Sequence, residues 1–295
     1  MNCQPRAARN RPVGLTVREE FLPPRAGPHG RAGGLPDDRP MPEAPSDGWR
    51  TYDEFAAGIA TYRLPAADLT GRVLSITLDD GEQLDLRFLD AERMTCNGVE
   101  DPYDAVAVRD DVYFVNLPLT SVDGEALTVV LSTTTHRALA VRSVIGAEDV
   151  DGEPRVSQMF WSGVTDGGEP TGDVPAESRD LIGKRNLYRY SPNHLYEHVY
   201  VSSQRYAWQC IEGVQRGHGD MDLSTVWKFQ DGLYLFCFRE FRIAVASVWL
   251  HDLGYALRTT GVFLGITGDG RSEHSTAGGH IYPLGAVAYP DAQPV

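Results

Sequence analysis

The chain has 295 residues, of which 42% are hydrophobic and 23% are charged, as in ordinary globular proteins. This length suggests one large domain or two of common size, and no apolar run reaches the roughly 18 residues of a membrane-spanning helix. Acidic residues outnumber basic ones by 41 to 27, and the resulting net charge of −14 repels phosphate backbones. These values exclude an integral membrane protein and argue against nucleic acid or a membrane as a partner.

Residues 1–45 are rich in Pro, Gly, Ala and Arg and show neither helical nor strand periodicity. Such a segment cannot bury enough apolar surface to offset its ordering entropy, so we predict that it is disordered and dispensable for the fold. It also lacks the apolar core of a secretory signal, which predicts a cytoplasmic protein. The cysteines Cys3, Cys96, Cys210 and Cys237 form no CxxC pair, so neither a disulfide framework nor a zinc ribbon is expected.

A short helix is predicted at the start of the folded part, from Ser46. Capping residues open this segment, and Trp49, Phe55 and Ile59 share one helical face. About three turns are expected. Beyond Pro65 the pattern changes to short β runs broken by turn signals, which predicts a mostly β protein.

An internal repeat organises the β part. The segment 68–72 (DLTGR) recurs as 180–184 (DLIGK), an offset of 112 residues, and at the same offset 92–96 matches 204–208. With a small insertion, 111–115 then matches 232–236. Barrel closure removes the exposed edges of small antiparallel units. We therefore predict an all-β fold of two tandem calycin/lipocalin-like antiparallel barrels, preceded by the short helix.

The predicted boundaries follow from this repeat. They are 1–45 for the disordered extension, 46–146 for the first barrel, 147–174 for a linker rich in Gly and acidic residues, and 175–295 for the second barrel. Met159-Phe160-Trp161, within the predicted linker, is expected to dock onto a barrel.

The two copies differ in the side chains that face the predicted lumen, since alternate residues of a strand share a face. In the first copy this set is apolar and suits a structural role. It comprises Leu74, Ile76, Leu78, Leu84, Leu86, Phe88, Met94 and Cys96. In the second copy it is aromatic and polar: Asn186, Tyr188, Tyr190, Tyr196, His198, Tyr200, Tyr206, Trp208, Tyr234, Phe236, Phe238 and Glu240.

Phenols, an imidazole and a carboxylate fill a core poorly, because each polar group needs a partner when it is buried. They favour a ligand cavity in which Tyr188 and Tyr190 hold a carbonyl or carboxylate oxygen and Glu240 transfers a proton, with His198 as an alternative base. The alternatives are an outward-facing sheet rich in Tyr and a tyrosine-filled barrel with its hydroxyls at the mouth. The predicted binding residues are Tyr196, Tyr200, Tyr206, Trp208, Arg216 and Phe238.

The stretch from Gly183 to Tyr200, GKRNLYRYSPNHLYEHVY, is followed by YAWQC at 206–210 and GHGD at 217–220. These residues resemble the C-terminal domain of the molybdenum cofactor biosynthesis protein F (MoaF) family. The resemblance is specific over roughly 183–265, and 64–146 looks like the N-terminal domain of the same family. The family name implies molybdopterin assembly, but no motif typical of pterin synthesis is present.

A second resemblance concerns mechanism. Phenolic acid decarboxylases are small lipocalin-like barrels with a Tyr-x-Tyr pair that grips the substrate and a Glu that acts as an acid. Tyr188-Arg189-Tyr190 and Phe238-Arg239-Glu240 look similar in type and order, but the Trp before that Glu and the Pro after it are absent. The resemblance therefore implies two phenols opposite a carboxylic acid rather than decarboxylation itself.

Weaker motifs are interpreted structurally. His218-x-Asp220-x-Asp222 could ligate a metal, but the flanking glycines mark a turn, where Asp usually bonds its own backbone. His251-Asp252 resembles half of a catalytic relay, yet no Gly-x-Ser-x-Gly motif completes it, so we interpret it as a hairpin turn. No metal and no cofactor is predicted.

The leading hypothesis is an enzyme of metabolism or natural-product biosynthesis. It would be a lyase, isomerase or cyclase that needs no metal and acts by proton transfer on a small unsaturated or aromatic carbonyl or carboxylic compound in the second barrel. The alternatives are a non-catalytic carrier of small apolar ligands and a structural interaction module. A small-molecule substrate is the expected partner, and the sequence leaves a homodimer open.

Overall fold

The structure is a computed structural model that describes residues 49–295. The predicted disordered segment, 1–45, and the first residues of the predicted helix lie outside the described residues. Within 49–295 the chain forms two antiparallel sheets of nine strands each and one short helix. No helix of this part of the chain has the length and apolar character needed to cross a membrane. The all-β prediction is confirmed.

The first sheet is formed by β1 (Val73–Leu78), β2 (Gln83–Phe88), β3 (Arg93–Cys96), β4 (Val99–Pro102), β5 (Asp104–Arg109), β6 (Val112–Pro118), β7 (Glu125–Ser132), β8 (Arg137–Ile145) and β9 (Val156–Thr165). Their order in the sheet is β4-β3-β2-β1-β9-β8-β7-β6-β5. The two outer strands, β4 and β5, are separated in the chain by Tyr103 alone. One bent stretch of backbone therefore closes this sheet into a barrel-like unit.

The second sheet is formed by β10 (Ala176–Glu177), β11 (Lys184–Ser191), β12 (His194–Tyr200), β13 (Arg205–Glu212), β14 (Gly219–Gln230), β15 (Leu233–Arg239), β16 (Val245–Asp252), β17 (Arg258–Ile266) and β18 (Ser272–Ala286). The long strand β14 pairs with both β13 and β15, so β11 to β18 form a closed ring of hydrogen-bonded strands. The short strand β10 adds to the outside of β14.

The repeat predicted from the sequence matches the strands of both barrels. At the offset of 112, Arg93 and Arg205 begin β3 and β13. After the insertion, Val112 and Leu233 begin β6 and β15, the strands that follow the bent β4–β5 stretch and its long counterpart β14. The prediction of two tandem antiparallel barrels is therefore confirmed.

The connection between the barrels is shorter than predicted. Strand β9, which lies inside the predicted linker 147–174, pairs with both β1 and β8. Met159-Phe160-Trp161 thus forms part of the first sheet instead of docking onto a finished barrel. The Gly and acidic residues on either side of β9 gave the whole stretch the composition of a linker, although Val156–Thr165 completes the hydrogen bonding of two strands.

The helix is also shorter than predicted: α1 spans Tyr52–Ala56, little more than one turn. The Glu54 carboxylate accepts a hydrogen bond from the backbone N–H of Thr51 at 3.0 Å and so caps its start. Soon after its end, Gly58 takes a positive φ of 87°, which a glycine adopts without steric cost. The helix cannot continue through this backbone conformation.

The segment that carries α1 packs on the second barrel and not on the first, which follows it in the chain. Tyr52, Phe55 and Ile59 are buried in the apolar core of the second barrel. The backbone after α1 is fixed there as well, because Tyr62 N–H donates to the Tyr190 carbonyl at 3.0 Å. Residues 49–62 therefore belong structurally to the second barrel, although the predicted boundary placed them in the first.

An apolar interface joins the two barrels. It is formed by side chains of β6, β7 and β8 against side chains of β14 to β17: Val112, Phe114, Val130, Leu139 and Val141 on one side, and Phe229, Leu233, Leu235, Cys237, Val248, Leu250 and Val262 on the other. At its border Arg109 donates to both carboxylate oxygens of the fully buried Asp252, at 2.9 and 3.2 Å. The barrels thus share one packed core in addition to their own two.

Candidate functional site

The second barrel encloses a cavity of about 40 Å³ beneath α1. Its wall is aromatic, with a few polar groups among the rings: Phe55, Ile59, Tyr190, Tyr196, His198, Tyr206, Trp208, Gln215, Phe238, Glu240, Trp249 and Phe263. Phe55 and Ile59 come from the α1 segment and the rest from the barrel. Ligand pockets usually measure about 300–1,000 Å³, so a ligand of that size fits only if the wall of this cavity moves.

Glu240 brings a carboxyl group to this cavity. It directly follows β15, where its backbone N–H donates to the Val245 carbonyl at 2.9 Å, and only 7% of the residue is exposed. No side chain or backbone group of residues 49–295 forms a hydrogen bond with its carboxyl oxygens. Burial, followed by the nearby carboxylates of Asp222 and Asp220, raises the pKa of Glu240 well above its ordinary value. This shift favours the neutral carboxylic acid, which can donate a proton.

A second buried carboxyl group lies beside the first. Asp222, on β14, accepts hydrogen bonds from the Trp208 indole at 2.8 Å and from the backbone N–H of Phe241 at 3.2 Å. Burial nevertheless raises the pKa of Asp222 to about 6. Asp222 therefore ionises above about pH 6, and the charge on Asp222 further disfavours ionisation of Glu240.

Four phenols of the barrel form two contrasting pairs. The hydroxyls of Tyr188 and Tyr200 lie 2.5 Å apart and form a hydrogen bond, so each has a protein partner. Tyr190 and Tyr206 line the cavity instead, and their hydroxyls form no hydrogen bond within residues 49–295. Burial raises the pKa of both well above 10, so these two hydroxyls are neutral donors available to a bound molecule.

Two histidines lie deep in the barrel, and both are neutral. Burial lowers the pKa of His198 to about 3 and places that of His251 well below its ordinary value. Nδ1 of His198 and Nε2 of His251 are buried without a hydrogen-bond partner in the part of the chain that the structure describes. His198 also lines the cavity and lies 4.4 Å from Tyr188, measured between ring centroids. The lowered pKa makes His198 a weak base, and its lone pair can accept a hydrogen bond from a bound molecule.

The structure brings seven of the ten predicted site residues to the cavity wall and separates three from it. Those at the wall are Glu240, Tyr190, His198, Tyr196, Tyr206, Trp208 and Phe238. Tyr188 and Tyr200 are buried but bonded to each other, so Tyr190 alone of the predicted Tyr188–Tyr190 pair reaches the cavity. Arg216 is exposed on its loop, away from the cavity.

Several groups at the site were not predicted from the sequence. Gln215, the neighbour of Arg216, is buried at the wall and accepts a hydrogen bond from the Tyr196 hydroxyl at 2.9 Å. His251, interpreted as part of a hairpin turn, lies on β16 with its ring inside the barrel, 4.9 Å from Tyr188. The alternation of side chains along β16 could have identified His251, because His251 lies on the same inward face of the strand as Trp249.

The residues of the His218-x-Asp220-x-Asp222 motif have separate partners. Asp220 forms an ion pair with Arg242 at 2.6 Å, and the His218 ring packs against Trp49 at 5.2 Å between centroids. Asp222 is bonded inside the barrel, as described above. Within residues 49–295, no three His, Cys, Asp or Glu side chains are grouped as metal ligands would be.

We expect Phe55→Ala to open the cavity. Truncating a buried Phe costs about 3–5 kcal/mol, so the melting temperature should fall. Fluorescence of an apolar naphthalene dye should rise, because the ring removed is part of the cavity cover. Leu86→Ala, which truncates a buried side chain of the first barrel, is the matched control: it should lower the melting temperature without increasing dye binding. Equal dye binding by both variants would contradict a cover formed by α1.

The fold and the cavity define a protein of two lipocalin-like barrels in which the second barrel holds polar and ionisable groups inside an aromatic wall. Family models agree with this division: the MoaF N-terminal domain matches residues 47–147 and the MoaF C-terminal domain matches residues 175–287. Protein MoaF of Klebsiella aerogenes is 30% identical over 240 residues, covering 78% of this chain and 87% of that protein. The chain belongs to the MoaF family.

A solved structure gives a much weaker match. It is described as "a putative beta-lactamase" from Burkholderia vietnamiensis, with a TM-score of 0.32 and 13% identity, and the match covers 37% of this chain and 100% of that one. Similarity at this level indicates neither the fold nor the function of the present chain.

Proposed function

We propose that the protein is an enzyme that acts by proton transfer on a small unsaturated or aromatic carbonyl or carboxylic compound, as a lyase, isomerase or cyclase. The observation that carries this proposal is Glu240, a buried carboxyl group at the wall of an aromatic cavity, whose pKa is raised by burial and which has no hydrogen-bond partner within residues 49–295. Strongly perturbed pKa values in a cavity are typical of catalytic acids and bases. We place this chemistry in the cytoplasm, as the sequence predicts.

The side chains around the cavity suggest a division of roles. A bound substrate oxygen would accept hydrogen bonds from Tyr190 and Tyr206, the two phenols whose hydroxyls have no other partner there. Glu240 would donate its proton to the substrate, and the negative charge left on Glu240 would favour protonation of the His198 imidazole by the proton that the substrate loses. A proton transferred from His198 back to Glu240 would return both groups to their starting states.

The proposal requires the α1 segment to move when the substrate enters. Once the segment closes again, Phe55 and Ile59 would exclude water from the cavity. Exclusion of water keeps Glu240 neutral and strengthens hydrogen bonds to the substrate oxygen, since both effects depend on low polarity around the group.

The test follows proton transfer directly. A panel of hydroxycinnamic acids, enones and β-keto acids is incubated with the protein in D₂O, and NMR detects deuterium incorporation or product. We expect Glu240→Gln to lower the rate for a responsive compound by about 100-fold or more. Glu177→Gln, an exposed change on β10, is the control and should leave the rate unchanged. Equal rates for the wild-type protein and Glu240→Gln would contradict the proposal.

The second candidate is a non-catalytic carrier of small apolar ligands. The observation in its favour is the aromatic wall itself, because every ring of the cavity can pack on an apolar ligand without any reaction. The two functions differ in their pH dependence. A carrier should bind panel compounds with little dependence on pH and without deuterium exchange, whereas an acid catalyst should lose activity as Glu240 ionises.

A further inference from the structure

The first barrel has a pocket of its own, although its predicted inward set is apolar and structural. The pocket of the first barrel measures about 320 Å³, within the range of small-molecule sites.

Apolar side chains form most of the wall of this first-barrel pocket, and a few polar residues join them. The wall consists of Leu78, Glu82, Leu84, Cys96, Asn97, Val99, Asp101, Leu119, Ser121, Leu127, Ala140, Arg142 and Trp161. Asp101 stands out in this set, because only 2% of the residue is exposed. Asp101 was not predicted from the sequence, because the short strand β4 was not recognised and its inward-facing residues could not be identified.

The repeat identifies the counterpart of Asp101 in the second barrel. Asp101 pairs with Met94 across β3 and β4, and Asp222 pairs with Tyr206 across β13 and β14. Met94 and Tyr206 are equivalent at the offset of 112, so the two aspartates occupy the same position of the barrel. Each also accepts a hydrogen bond from a backbone N–H just beyond an equivalent strand, from Thr120 after β6 at 2.8 Å and from Phe241 after β15 at 3.2 Å.

The two aspartates differ in what reaches their second oxygen. Oδ2 of Asp222 accepts from the indole N–H of Trp208 at 2.8 Å. In the first barrel Cys96 stands at the position of Trp208, and both hydrogen bonds to Asp101 come from Thr120 and end on Oδ1. Within residues 49–295, Oδ2 of Asp101 has no donor. The first barrel therefore lacks an indole ring and an N–H where the second barrel has both, and its pocket occupies that region.

We propose that the pocket of the first barrel binds a small neutral aromatic molecule that carries an N–H or O–H donor, of which indole is the simplest example. Its ring would pack against Trp161 and the leucines, and its donor would bond to Oδ2 of Asp101. Charge disfavours a carboxylate ligand, because Asp101 and Glu82 are acidic and Arg142 is already paired with Glu125. This site is separate from the cavity of the second barrel and does not depend on the proposed enzymatic activity.

The test uses indole and 1-methylindole, which share a ring but differ in the N–H donor. Binding is followed by the rate at which a thiol reagent alkylates Cys96, measured on the peptide by mass spectrometry, because Cys96 lines this pocket alone. We expect indole to protect Cys96 and 1-methylindole to bind about tenfold more weakly or worse. Asp101→Asn should weaken indole binding, since its amide presents a donor where a carboxylate oxygen accepted one.

A second variant tests the missing indole directly. Cys96→Trp restores the ring found in the second barrel, so it should abolish the indole binding measured by calorimetry, while Cys96→Ser should retain it. Equal affinity for indole and 1-methylindole, or undiminished binding by Cys96→Trp, would overturn the proposal. If Cys96→Trp does not fold, the alkylation rate of Cys96 in the wild-type protein is the test. Absence of protection by a saturating concentration of indole would then overturn the proposal.

Discussion

We expect Glu240→Gln to raise the melting temperature at neutral and mildly alkaline pH. The folded state holds the pKa of Glu240 well above its ordinary value of 4.5, so between these values the folded protein binds a proton that the unfolded chain has released. Stability is therefore lost as the pH rises through this window, by about 1.4 kcal/mol for each unit of pKa shift. Glutamine keeps the shape of the neutral acid and removes this loss.

The gain in melting temperature should depend on pH. It should vanish below the ordinary pKa of glutamate, where both states are protonated, and grow as the pH rises. Thermal melting of wild type and Glu240→Gln across the acidic to mildly alkaline range measures it. Glu177→Gln, at an exposed position, should show no such trend. A gain that is constant with pH, or a loss at neutral pH, would mean that Glu240 is ionised in the folded protein.

We expect Phe114→Ala to destabilise both barrels together. Phe114 lies on β6 with 1% of its surface exposed, and it packs in the interface shared by the two barrels. Replacing such a side chain costs about 3–5 kcal/mol of unfolding free energy. Because the interface belongs to both units, hydrogen exchange should accelerate in peptides from β6 to β8 and in peptides from β15 to β17.

The control for this prediction is Val73→Ala on β1, where 57% of the side chain is exposed and little stability should be lost. Mass spectrometry resolves the exchange of each barrel within one experiment. Acceleration confined to the peptides of the first barrel would show that the barrels unfold independently. It would also favour two separately compact β units, as the internal repeat alone predicts.

The architecture could be predicted from the sequence because both copies retain alternating residues at one offset. Strand β9 could not, since the composition around Val156–Thr165 resembles that of a linker and its hydrogen bonds go to β1 and β8, which are distant in sequence. The position of α1 was not predictable either. An apolar helical face indicates that Phe55 is buried, but it does not say which barrel covers it.

The candidate site was predictable to the extent that strand parity determines which side chains face inward. Parity placed Tyr190, His198 and Glu240 in one lumen, and the structure groups all three at the cavity wall. It could not distinguish Tyr188, whose hydroxyl is bonded to Tyr200, from Tyr190, whose hydroxyl has no such partner. Nor does parity apply to the loop after β13, where Gln215 and not Arg216 turns inward.

The protonation state of Glu240 tests the central claim most directly. Infrared spectra at mildly alkaline pH, above the pKa of about 6 of Asp222, distinguish a neutral carboxyl group from a carboxylate. We predict a neutral carboxyl band in the wild-type protein that persists in Asp222→Asn and disappears in Glu240→Gln. Spectra of wild type and Glu240→Gln without any difference in this band would show that Glu240 is ionised, and would contradict its role as the proton donor of the cavity.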